Sequence, residues 1–153
     1  MLTKVCALLL LLATPQMDVF KKDMVPLQTA VDGVITSAGM QLMQRSHAAY
    51  LEGFGIVVSL EIAFVPPQGI FDTPRKPAEI RTLVTQRRKD LQEKVTAFVK
   101  QRLATTDSIG AGDSLAIVIH VLNTNPADVP NLPVQIMMSA KKDSPQQVVF
   151  KEF

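Results

Sequence analysis

The sequence is short of the residues on which much protein chemistry depends. It holds one cysteine, two histidines, one tyrosine and no tryptophan in 153 residues. The cysteine, Cys6, lies in an N-terminal apolar segment, so the rest of the chain has no thiol. That excludes disulfides, cysteine nucleophiles and thiolate metal sites from the body of the protein. Aromatic residues make up 5% of the sequence, too few for the stacking platforms that hold single-stranded nucleic acid. An excess of one charge is missing too. With Lys4 set aside, fifteen basic side chains face fourteen acidic ones. Bulk electrostatics therefore give no support to a nucleic-acid or membrane-surface role. A zinc site would need His47 or His120 with carboxylates from Glu52, Glu61 or Asp113. No His-x-x-x-His spacing is present, and no metal or cofactor is assigned.

The N-terminus reads as a leader. Met1-Leu2-Thr3-Lys4 is a short positive region, Val5 to Ala13 is apolar, and Pro15 breaks the run. This is the pattern of a secretory signal peptide, placed at residues 1–16. The apolar run is shorter than the ~20 residues that span a bilayer as a helix. An uncleaved anchor is the alternative. Export without disulfides fits a bacterial periplasm better than eukaryotic secretion. Residues 17–153 are then one α+β domain, long enough to bury a core without staples.

The stretch around which the rest is organised runs from Gly53 to Pro67. Ile56, Val58, Leu60, Ile62 and Phe64 alternate onto one apolar face. Val57, Ser59, Glu61, Ala63 and Val65 form a mixed face. Gly53 and Gly55 permit a sharp turn into the strand, and Pro66-Pro67 ends its pairing.

Around it, the spacing predicts a helix over Asp18 to Ala38, with Pro26 either kinking it or standing in its first turn. Met40 to Arg45 reads as a short strand, and Ser46 to Glu52 as a connector. Ala78 to Ala104 is the main helix, with Ile80, Val84, Leu91, Val95 and Phe98 in one narrow arc. Arg87 and Arg102 fall on that arc, where they either snorkel along the sheet edge or pair with Glu61 or Glu52. Leu115 to Leu122 and Val134 to Ala140 are strands, and Gln147 to Phe150 is a short edge strand. A strand, a crossover helix and a strand imply a parallel pair, with the later strands returning antiparallel. The fold class is α+β: a two-layer sandwich in which a small mixed sheet of three to five strands, with a βαββ core, is covered by one long helix. The N-terminal helix packs beside that helix or on the opposite face.

Two constellations bear on chemistry. Gly112-Asp113-Ser114-Leu115 resembles the signature of the GDSL esterases, which would make Ser114 a nucleophile. In that family the serine leads into a helix and a histidine follows late in the chain. Here Ser114 leads into a strand, and no histidine follows His120. The second is a polar cluster on the mixed face: Ser59 and Glu61, joined by His120 and by Gln135 or Ser139. These five residues are the candidate binding face. Glu61, His120 and Ser114 are the candidates for catalysis. The reading is an exported, non-enzymatic binding module of the bacterial envelope, whose partner is a protein or a small apolar ligand and not nucleic acid. Its four strand-associated methionines, Met40, Met43, Met137 and Met138, suit an adaptable contact surface and a core equally. The alternative is a periplasmic hydrolase using Ser114 or the Glu61/His120 pair.

Overall fold

The computed structural model describes residues 15–153, with side chains from Val19 onward. The leader placed at residues 1–16 lies outside them, except for Pro15 and Gln16 at the start of the first helix. Seven elements follow: α1 (Pro15–Ser37), β1 (Gln41–Leu51), β2 (Gly55–Ala63), α2 (Pro77–Thr105), β3 (Ser114–Val121), β4 (Gln135–Lys141) and β5 (Val149–Glu152). The strands form one mixed sheet in chain order. Only β2 and β3, the pair joined through α2, run parallel.

The sheet buries one face. Ile56, Val58, Leu60 and Ile62 of β2 are at most 2% exposed, as are Leu115, Ile117 and Ile119 of β3. Ile136, Met138 and Ala140 of β4 extend the same layer. Both helices lie over this face, α1 across β1 and α2 across β3 and β4, and they touch each other. Of the two placements open to the N-terminal helix, the structure takes the one beside the main helix, so both cover this face of β2. From α1 it receives Leu27, Val31 and Ile35, and from α2 Ile80, Val84, Leu91, Val95 and Val99. These are the positions at which the three- and four-residue spacing aligns on a helix.

Charged groups of α2 fasten it to its neighbours. Lys94 donates to the carbonyl of Ser37 and so satisfies the end of α1. Arg87 donates to the carbonyl of Phe64, just past β2. Burial, and then the neighbouring Arg75 guanidinium, lower the pKa of Arg87. The guanidinium of Arg102 stands 5.3 Å from the ring centroid of Phe98, within cation–π range. Neither arginine pairs with Glu61 or Glu52. That alternative fails because the apolar face of the sheet, not the Glu61 face, meets α2. At the start of α2 the Glu79 carboxylate accepts the Lys76 N–H at 3.3 Å. Lysine offers no acceptor in return, so this is one half of a capping box.

Two local expectations need correction. Ser46 to Glu52 is not a connector, because β1 continues through it to Leu51. Register shifts between Leu42 and Gln44, and between Gln44 and His47, break the alternation that would have marked a strand. Where the ladder slips, Ser46 turns to α1: its N–H donates to Asp32 at 3.0 Å and its hydroxyl to the Gln28 carbonyl at 2.9 Å. The first helix begins at Pro15 and continues through Pro26, which is exposed, so no buried group is orphaned by its missing N–H.

Candidate functional site

With both helices on one side, no described helix covers the mixed face of the sheet; Val57, Ser59, Glu61 and Val118 are half-buried there, while Ala63, Val65 and Ala116 of the same face are buried. Its side chains stand in rows fixed by register. One row runs Gln44, Glu61, His120, Gln135 across β1 to β4. The next runs His47, Ser59, Val118, Met137, Lys151 across all five strands. A third runs Ala49, Val57, Ala116, Ser139, Val149. Neighbours within a row are separated by the strand spacing of about 4.8 Å, and rows by about 7 Å.

All five candidate face residues therefore share one surface. Glu61, His120 and Gln135 are direct neighbours in a single row, Ser59 is in the next row and Ser139 in the third. Glu61, Ser59, Gln135 and Ser139 are half-buried, and His120 is exposed. No hydrogen bond joins Glu61 to His120 among the described residues. Their backbones are register partners on adjacent strands, about 4.8 Å apart. Ser114 does not join them. It opens β3 six residues before His120, about 20 Å along the strand. There its N–H donates to the Phe54 carbonyl at 2.7 Å, and the residue is 7% exposed. The chain matches no family model, no curated protein and no solved structure.

Sequence reasoning missed two members of this surface. Gln44 and His47 belong to it through β1, whose slipped register hid them. Both histidines of the chain now lie on one face, on strands flanking β2. Even so, no group of three or more histidine, cysteine or carboxylate side chains among the described residues is arranged to hold a metal ion. The methionines divide. Met40 and Met138 are core, Met137 is half-buried at the centre of the open face, and Met43 is exposed on β1.

A second polar region lies at the sheet end where β2 and β3 begin. The Tyr50 hydroxyl donates to Asp113 at 3.3 Å, and the same carboxylate oxygen accepts the Gly110 N–H at 3.2 Å. Burial first, then the negative charge of Asp113, push the Tyr50 phenol above its ordinary value. Nearby, a cleft of about 200 Å³ between α1 and the end of α2 is lined by Lys22, Asp23, Arg102 and Asp107. Val19, Pro26 and Leu27 also line it. No described helix is long and apolar enough to cross a membrane.

Proposed function

We propose that the protein is an exported binding module of the bacterial envelope whose open sheet face receives a partner protein. One observation carries this reading. A parallel strand pair is ordinarily covered on both faces, yet the outer face of β2 and β3 has no helix over it. Its centre is apolar, with Val57, Val118 and Met137 half-buried, and polar residues stand around them. Five strands at about 4.8 Å make a surface about 24 Å wide. With strands about 20 Å long, its area is about 500 Å², below the ~800 Å² per side of a standard interface. The face suits a small or transient partner, not an obligate subunit.

The test is a photocrosslinking residue at Ser59 or Met137, compared with one at Gln92 on the solvent side of α2, in the native envelope. A discrete adduct from the sheet positions, absent from Gln92, is expected. Adducts from Gln92 alone would reject the reading. The adjacency of Glu61 and His120 favours hydrolysis as a second reading. Ester turnover by the purified protein, lost in both Glu61→Gln and His120→Asn, would establish it.

A further inference from the structure

The sheet end at which β2 and β3 finish carries a feature that the open face does not explain. The segment between β2 and α2 holds Ile70 and Phe71 at 95% and 96% exposure. These are the two most exposed large apolar side chains among the described residues. The tip that presents them is built, not loose. Asp72 accepts the Gly69 N–H at 2.7 Å and returns its own N–H to the Gly69 carbonyl at 3.1 Å. The Gln68 side-chain amide spans the base to the Thr73 carbonyl at 3.2 Å.

The charges around this tip are arranged unequally. Asp72 of the segment and Glu79 in the first turn of α2 turn back onto backbone N–H groups, those of Gly69 and Lys76. The cations do not have carboxylate partners among the described residues. Arg75 and Arg87 donate to the carbonyls of Pro66 and Phe64, two residues apart. Lys76 is exposed beside them. The same end of the sheet also exposes Leu122, Val134 and Phe153. Backbone bonds from Leu122 to Ile62 and from Val134 to Phe153 hold these residues beside the ends of β2 and β5.

We propose that this end docks on an anionic phospholipid bilayer, with Ile70 and Phe71 entering the acyl boundary and Arg75 and Lys76 meeting the headgroup phosphates. A projecting apolar tip above a base of cations matches the layering of that interface. The proposal is independent of the partner-binding face. It is also distant from the start of α1, because Phe20 packs against Tyr50 at the other end of the sheet.

The absence of tryptophan makes the test specific. In the full chain, Phe71→Trp places a sole tryptophan at the tip, and Phe54→Trp places one at the opposite end. With phosphatidylglycerol-containing vesicles, the Phe71→Trp emission should shift to the blue and be quenched by brominated acyl chains. Phosphatidylcholine vesicles, and Phe54→Trp in either case, should give no change. Adding Arg75→Gln should raise the lipid concentration needed by about five-fold. A tip tryptophan that stays in water while the protein is vesicle-bound overturns the proposal, as does failure to bind or an equal response to phosphatidylcholine. Failure here would leave crosslinking at Ser59 and Met137 untouched.

Discussion

Replacing Gly55 with alanine should be among the most damaging small changes in this protein. Gly55 has φ +118° and opens β2 directly opposite Ser114 of β3. A Cβ there would lie 2.2 Å from the Ser114 carbonyl oxygen and 2.7 Å from its nitrogen. Both are backbone atoms of a paired strand, so no side chain can swing away. The unfavourable φ costs about 1–3 kcal/mol, and separating the two backbones adds about 1–3 kcal/mol. The total, about 2–6 kcal/mol, is a large share of the 5–15 kcal/mol typical of a whole domain. Gly53→Ala is the control: φ is +77°, with nothing within 4 Å of the new methyl. It should lose only the conformational part, about 1–2 kcal/mol, leaving Gly55→Ala worse by about 1 kcal/mol or more of backbone separation. Urea unfolding of both variants measures the difference. Equal losses, within about 0.5 kcal/mol, would show that β2 and β3 do not approach as described and would refute the reasoning.

Other outcomes follow from single residues. Leu91→Ala, at a site 1% exposed beneath α2, should cost about 2–5 kcal/mol in the same assay. Ser108 is fully buried, and its hydroxyl has no partner among the described residues; Ser108→Ala should therefore stabilise by about 1 kcal/mol. Tyr50 is the one tyrosine, so ultraviolet absorbance of tyrosinate should titrate with a midpoint above the ordinary phenol value of 10.0. Its folded-state pKa is raised, so the folded protein holds the proton more tightly. The stability it contributes is complete below the unfolded pKa and is lost as pH rises through the folded one. Tyr50→Phe should flatten that alkaline decline in unfolding measurements.

Much of this architecture was legible because the signals were strong and unbroken. Alternation through Ile56–Phe64, the helical arc from Ile80 to Phe98 and the proline stops each needed only local physics. The mixed face of β2 was legible for the same reason, and with it Ser59 and Glu61. The first strand was legible only in its first half, Met40 to Arg45, since two register shifts scramble its period and its one buried polar residue, Ser46, is satisfied by α1. Without the register of β1 and its continuation past Arg45, the places of Gln44 and His47 on this face stayed hidden. The side of the sheet taken by α1 was equally beyond local reading. Its position depends on Asp32 and Gln28 meeting Ser46 fourteen and eighteen residues away. The exposure of Ile70 and Phe71 could not be anticipated either, because loop composition does not say which side chains face solvent.

The central claim is that both helices lie on one face of the sheet and leave the other without a helix over it. Single cysteines tested by thiol-labelling rate, with Cys6 replaced by serine, probe it most directly. Labelling should be fast at Ser59 and Ser139 on the open face and slower by orders of magnitude at Val58 and Met138, which are 0% exposed. Comparable rates at adjacent positions, or protection on both faces, would contradict it.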